Sequence, residues 1–587
     1  MKSNSSFYIE RVAFLFLYTT SEVIKSNHSI FFKKKDKDLE TKHTQINKFA
    51  IHLRYRQIQT QITITFIKIY IMSAMKTPGV YIVDKETYPN AVIEAATAIP
   101  AFIGYTEKAS EKDQSLLNKP VRISSINEFI AYFGGAPKPK FDIKKGDGDF
   151  NASLNGESYT LTRTDSYILY YCMLTFYANG GSDCYIVSVG NYTNKIEYSA
   201  LAAGIAPLVK EQEPTMLVIP EAVCLAKAED CYVLQQAMAN HCGFYMKNRI
   251  AIFDIYEGYK NRKDPNGDVV TKFRENIGVN FLSFCAAYYP WINFNIIQEK
   301  DLDYSNLDLK ELIPLITQEI EVSSKKQATK EGDLKKEEIL KLIQKIKENE
   351  EKIEAEIASG KDIHDQEQIR KENHRTLLNC SPFYKEVMRQ ILLSLNRLPA
   401  APSIAGIITL VDNTSEVWKA PANINLASAI SSTQNVSNEE QEDLNIPLDG
   451  KSVNTIRVFP GEGIKVWGAR TLDSNSMDWK YINVRRTMIM LEESIKNATK
   501  AYIFEPNMGN TWISVKSMIS NFLYEIWKRG GLIGSTPDDA YSVHIGLGET
   551  MTPTDILEGI MRITVLVAIV HPGVFAEITF EIQMQNS

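Results

Sequence analysis

Cys231, His241 and Cys242 are the nearest approach in this chain to a cluster of metal-ligand types. A structural zinc site takes its cysteines and histidines as spaced pairs, and these three lack that spacing. Hydrolase and nucleotide chemistry leave no pattern either. There is no Gly-x-Ser-x-Gly elbow to expose a serine nucleophile, no Walker loop to cradle phosphates and no His-Glu-x-x-His helix. Gly461-x-Gly463 lacks the third glycine of a dinucleotide loop and reads as a tight turn. Asp254 ends an apolar strand, where open α/β sheets gather ligand-binding groups. No glycine-rich loop stands beside it, so a structural carboxylate is the simpler reading. Glu492-Glu493 falls on a helix and Asp538-Asp539 in a loop, and both read as solvated. His241, His544 and His571 are separate in pattern, each with a local structural role available. No catalytic residue, cofactor site or metal site is expected.

Composition narrows the class further. A chain of 587 residues suggests about three to five domains. Hydrophobic content of 44% is ample for packed cores and excludes disorder of the whole. A net charge of −6 is not the footprint of a nucleic-acid binder. The 7 cysteines are scattered and sit mostly in apolar runs, as reduced core residues do. No apolar run approaches the ~20 residues of a membrane helix. Val12–Tyr18 is short and lacks a small-residue cleavage pattern, so no signal peptide is expected.

Residues 1–71 are foreign to the rest. They carry a net charge of +7, against −13 for the remainder, and contain neither glycine nor proline. They show no clear helical or strand period. A basic arm for an acidic partner is one reading. An upstream extension, with the natural start at Met72 or Met75, is the reading the patterning favours.

From Pro78-Gly79-Val80-Tyr81 onward the chain is patterned. Strands are predicted at Val80–Asp84, Ala98–Thr106 and Cys184–Val189, and helices at Val121–Phe133 (capped by Ser124 or Ser125) and Tyr167–Ala178. Pro137–Tyr159 reads as a loop or exposed hairpin. Between about 200 and 300, strands Thr215–Pro220, Arg249–Asp254 and Phe281–Tyr288 alternate with helices, the signature of a doubly wound parallel sheet. Residues 303–375 are dominated by Lys and Glu. Their stripe of Ile339, Ile343, Ile346, Ile353 and Ile357, interrupted by Glu350, predicts a charged helical hairpin projecting from the body. Ser381-Pro382 opens a helix to Leu395. Pro399–Gly406 reads as a linker, Ile407–Val411 as a short apolar segment and 428–450 as mobile.

Further on, Thr455–Phe459 and Ile464–Thr471 are strands about a turn, and long helices run from Tyr481 and from Thr511 to Arg529. Tyr541–Ile545 is a strand. Ile563–Val570, apolar on both faces, predicts a strand buried in the core. After Pro572-Gly573 the chain alternates strictly, with Ile578, Phe580, Ile582 and Met584 on one face. Such a strand must pair, either with its own sheet or with a neighbour's.

The final third resembles the contractile tail sheath proteins of phage tails and phage-tail-like injection systems. The resemblance rests on Phe459–Leu472, within which Gly461, Gly463, Trp467, Gly468, Ala469 and Arg470 form the signature, on Tyr481-Ile482-Asn483-Val484-Arg485-Arg486, and on Val411-Asp412-Asn413-Thr414 with Val417–Asn423. Pro78-Gly79-Val80-Tyr81 resembles the family's N-terminal opening. It spans about 76–587 and is strongest after 400, whereas 1–71 and 303–375 depart from the pattern. It implies a multi-domain fold of mixed α/β and α+β character: a linking arm and first strands in 72–105, an outward-facing region in 106–400, and a mixed inner domain in 400–587 ending in a linking strand at 574–584. It also implies hexameric rings stacked around an inner tube, joined by exchanged strands (Gly79, Val80, Tyr81 and Ile82 at one end; Ile578, Phe580, Ile582 and Met584 at the other). Partners would be further copies, sister sheath proteins, an inner tube, and baseplate and cap proteins. Nucleic acid and direct membrane insertion are not among them. Assembly would occur in the cytoplasm, yielding a particle that can be released. Lys516, Lys528 and Arg529 are the candidate tube contacts, an ordinary solvated helix face being the bland alternative. The rival readings are a soluble oligomeric α/β enzyme of unknown reaction and a monomeric binding module whose last strand closes its own sheet.

Overall fold

The computed structural model describes residues 92–573 except 113, 327–329 and 360–363. The linking strands expected at Gly79–Ile82 and Ile578–Met584, and the first 71 residues, lie outside the described residues.

A nine-stranded sheet organises the body. Its order is Ile424–Asn425, Gly463–Val466, Asn454–Phe459, Cys285–Tyr289, Ile250–Asp254, Met216–Val218, Pro100–Thr106, Cys184–Asn191, Pro120–Ile123. The six strands from Asn454–Phe459 to Cys184–Asn191 run parallel, and the outer ones are antiparallel. This is a doubly wound sheet, but it spans far more chain than 200–300. Strand Pro100–Thr106, grouped by sequence with the arm, is interior to the sheet, buried at every position. The signature hairpin extends the opposite side.

Pleating sends alternate residues to opposite faces. Phe102, Val218, Ile252 and Tyr288 enter one core, with helices Leu169–Ala178, Ala401–Ser415 and Pro382–Asn396. Ala101, Leu217, Ala251 and Ala287 enter the other, with helices Ala228–Asn240 and Val269–Asn276. A third core is built from Val417, Trp418, helices Ile482–Thr499 and Gly509–Lys528, and the pair Tyr541–His544 with Thr564–Val567. The expected boundary at 400 therefore falls inside the body, and the separate C-terminal core begins at Val417.

Several local readings need correction. Pro399–Gly406 is no linker, nor Ile407–Val411 a short separate segment: Ala401–Ser415 is a helix buried on nearly all sides. An all-round apolar helix has no amphipathic period to detect. Gly406 lets it cross Leu169–Ala178 closely, since a Cβ there would lie 2.5 Å from the Phe176 carbonyl oxygen. Residues 428–450 hold strand Ala429–Ser432 and helix Asn438–Asn445, the latter started by a Ser437/Glu440 capping box. Residues 120–123 are a strand before helix Ile126–Phe133, whose N-cap is Ser125. The 137–159 region is part of a three-stranded sheet with Phe141, Leu154 and Leu161 buried.

The charged insertion comprises helices Leu309–Lys326, Lys330–Ala358 and His364–Cys380 rather than a hairpin. Ile339, Ile343 and Ile346 join the core on the first sheet face instead of forming a detached stripe. Glu350 does not break that stripe. It receives a bidentate pair from Arg370, at 2.8 and 2.6 Å. Strand Thr564–Val567 is not core-buried: its residues alternate exposed and half-buried, and Leu566 is 58% exposed.

Two buried carboxylates tie the body together. Asp254 accepts from the amides of Ala400 (2.7 Å) and Ala401 (2.9 Å), holding the start of the buried helix at a strand end. Glu221 accepts from Tyr105 (2.7 Å), Ile168 (3.0 Å) and Leu169 (3.3 Å), joining strand Pro100–Thr106 to helix Leu169–Ala178. Burial pushes both up to about 7, against the backbone donors that pull them down. Unfolded carboxyls ionise near pH ~4, so the native state alone keeps these protons between there and about pH 7. Stability from these groups is thus full below the unfolded value and is lost as pH rises through the native one. Urea unfolding followed by circular dichroism at about pH 5 and about pH 8 should show the Glu221→Gln/Asp254→Asn variant losing part of the wild-type decline; an unchanged decline refutes it.

Candidate functional site

The signature stretch builds a junction. Gly461 (φ 80°) and Gly463 (φ 95°) turn the hairpin through left-handed backbone that side chains disfavour. Trp467 then packs at a tilt against Phe459 across the hairpin, ring centroids 4.5 Å apart, and stays 38% exposed. Gly468 lies against Asn454: a Cβ there would be 2.7 Å from Asn454 Oδ1. Asn454 pins the next turn by accepting from the Arg470 amide and donating to the Arg470 carbonyl, each at 2.7 Å. The Ala469 carbonyl takes the amide of Ile482 at 2.9 Å, and Arg470 lies over the Tyr481 ring. The sheet edge is thereby joined to the start of helix Ile482–Thr499.

That helix carries the densest set of polar contacts in the junction. Arg486 forks onto the Asp412 carboxylate, one arm at 2.7 Å, and also donates to the Thr97 carbonyl at 2.7 Å. Both ion-pair side chains are nearly inaccessible. Three remote segments meet there: 97, 412 and 486. Arg485 is sandwiched near Trp479 (3.7 Å) and Phe284 (4.2 Å), donates to Ser283 Oγ, and is pushed down to about 10 by burial. Asn483 donates to the carbonyls of Trp418 (2.9 Å) and Val570 (3.1 Å). The motifs quoted separately from the sequence, around 412, 418 and 481–486, are thus one contact cluster. The role of the Thr97 carbonyl had no sequence signal, because any residue supplies one.

The proposed tube contacts differ among themselves. Lys516 and Lys528 are exposed on helix Gly509–Lys528. Arg529 is engaged within the chain: it pairs with Glu94 (2.7 Å) and Glu416 (3.7 Å) and lies over Trp418. Above this helix, Tyr541–His544 pairs antiparallel with Thr564–Val567 in a sheet that has two strands among the described residues. Ser542 Oγ lies 3.1 Å from His544 Nε2, and His544 Nδ1 lies 2.5 Å from Glu549 Oε1. The order resembles a nucleophile relay. However, residues two apart on a strand always share a face, so the pleat alone brings Ser542 and His544 together.

The other chemistry-bearing residues are dispersed. Cys231 and Cys242 are buried, and burial raises both thiols. His241 is pushed down to about 4 by burial and by Arg249 beside it. At the crevice between strands Pro100–Thr106 and Met216–Val218, where the winding reverses and doubly wound proteins bind anions, the protein's own Glu221 occupies the helix N-terminus.

Residues 474–582 match the phage tail sheath C-terminal domain family. The tail sheath protein of Vibrio phage KVP40 is 27% identical over 161 residues, 27% of this chain. The chain spans only 23% of that relative's length in the match. The fold extends the likeness over nearly all of the chain. The sheath complex of the extracellular contractile injection system PVC, in its contracted state, superposes with a TM-score of 0.52 at 23% identity, covering 86% of this chain and 98% of that one. The contracted helical sheath of the anti-feeding prophage gives 0.53 at 22% identity, covering 86% and 99%. In the sequence of its C-terminal part and in fold, this chain is similar to tail sheath proteins. The family match includes Arg486 of the junction but not Asp412.

Removing one partner of a buried, forked pair strands a charge, so Asp412→Ala should destabilise the fold by about 3–5 kcal/mol. An Asp412→Leu/Arg486→Met double substitution should recover most of that loss. Urea midpoints of the three proteins decide the matter: a double variant no better than the single refutes the pair as the linkage.

Proposed function

We propose that this chain is the structural subunit of a contractile sheath that polymerises as hexameric rings around an inner tube and shortens to drive the tube through a target envelope. The observation that carries this reading is the sheet Tyr541–His544/Thr564–Val567, which has two strands among the described residues, a unit marginal on its own in water, in a chain whose fold matches a contractile sheath over 86% of its length. Its exposed Leu566 and half-buried Val565 and Val567 suit completion by further strands. The strands to complete it are Gly79–Ile82 and Ile578–Met584 of neighbouring copies, whose backbones would extend the ladder while alternate side chains fill the face. Assembly would store energy as a difference between two packings of the same subunits, so no nucleotide is consumed.

No catalytic role is assigned. The internal occupation of the switch-point crevice by Glu221 supports that reading over the α/β enzyme. Partners are further copies, an inner tube protein, and baseplate and cap proteins. Lys516 and Lys528 remain the candidates for breakable tube contacts. Arg529 is the weaker candidate, because a tube would have to compete with Glu94. Among the described residues no helix is long and apolar enough to cross a membrane. The particle would assemble in the cytoplasm and act as a phage-tail-like machine.

Negative-stain microscopy of the purified chain should show long hollow tubes, and deleting 574–587 should abolish them while leaving a folded, soluble body. Small discrete particles across salts and concentrations would sink the sheath reading. Tubes from the truncated chain would instead reject only the C-terminal strand as the link.

A further inference from the structure

The chain enters the described region at Val92 and leaves it at Gly573, and one helix grips both approaches. On the entering side, the Ala95 amide donates to Ser494 Oγ at 2.8 Å. The Thr97 carbonyl accepts from Arg486, and Glu94 meets Arg529 at 2.7 Å. On the leaving side, Asn483 donates to the Val570 carbonyl, and the Tyr481 ring meets His571 edge-on at 5.9 Å. Ser494, Arg486 and Asn483 all belong to Ile482–Thr499, with Tyr481 as its N-cap.

We propose that helix Ile482–Thr499 couples the two terminal segments, so that loosening one loosens the hold on the other. A regular helix rises about 1.5 Å per residue, and its length changes little under load. Asn483 and Ser494 are three turns apart on it, so displacement of either end displaces the other as a body. The intermediate turns are fastened by Arg486 to Asp412, which resists sliding along the axis and leaves rotation about that point as the motion of this one helix. Asn483 gives one amide hydrogen to each of two carbonyls, while its own oxygen is buried without a partner among the described residues. An unpaired buried acceptor reduces the net hold of such a contact. If the terminal segments link neighbouring copies, which rests on the sheath reading above, the helix relays strain received through one link to the other. Asn483 is then a positioning residue for the C-terminal link and Ser494 for the N-terminal one.

Coupling free energies are reciprocal, and that is the test. Hydrogen–deuterium exchange on the full chain should show Ser494→Ala speeding exchange at the amides of 568–571 by about tenfold, although Ser494 makes no hydrogen bond there. Asn483→Ala should speed exchange at 95–98 by a similar factor. Exchange raised only at the substituted end in both variants overturns the coupling. If a buried substitution unfolds the protein, exchange rises throughout strand Ile250–Asp254 as well. The near-isosteric variant Ser494→Cys, which weakens the bond to Ala95 with little change of volume, then serves the same purpose: a rise at 568–571 supports the relay, and none refutes it. Tube formation is read separately by microscopy. Absent tubes with reciprocal exchange would reject the sheath reading and leave the coupling standing.

Discussion

The buried fork between Arg486 and Asp412 is the constraint on which the rest depends. It joins the helix that packs on the parallel sheet to the helix that founds the C-terminal core, and its spare donor holds the chain at Thr97 just before the first strand. Apolar packing is non-directional and tolerates sliding. A forked ion pair in a dry interior does not, because each small displacement leaves a charged group unpaired. The three cores would pack without it, but their relative placement would be loosely specified.

Around that fork the structure repeats one device. Polar side chains from one element satisfy backbone groups at the end of another: Asp254 for Ala401–Ser415, Glu221 for Leu169–Ala178, Asn454 for the signature turn, Asn483 for the departing chain. Helix and strand ends carry unpaired donors and acceptors that must be met somewhere when buried. Meeting them with remote side chains converts a local requirement into tertiary specificity.

Most strands and the amphipathic helices were legible because burial on one side imprints a period. The Ser381-Pro382 start, the Ser125 cap and the Gly461/Gly463 turn were legible from chemistry that only a few residue types can supply. Ala401–Ser415 was missed because burial on all sides erases the period. Strand Thr564–Val567 was misjudged for the opposite reason: an apolar run reads as core, but here the strand lies at the surface with its residues alternately exposed and half-buried. Glu350 looked like a flaw in an apolar stripe because its partner, Arg370, lies on another helix.

The sequence by itself determined the alternation of elements, the signature residues and the absence of a recognisable catalytic motif, since each is a matter of residue type at short range. Only the tertiary structure decided that the motifs at 412, 418 and 481–486 form one cluster, that strand Pro100–Thr106 lies inside the sheet, and that Arg529 is already paired. Those facts depend on which distant groups find each other once the chain is compact. A charge or an amide carries no mark in the sequence of the partner it will meet.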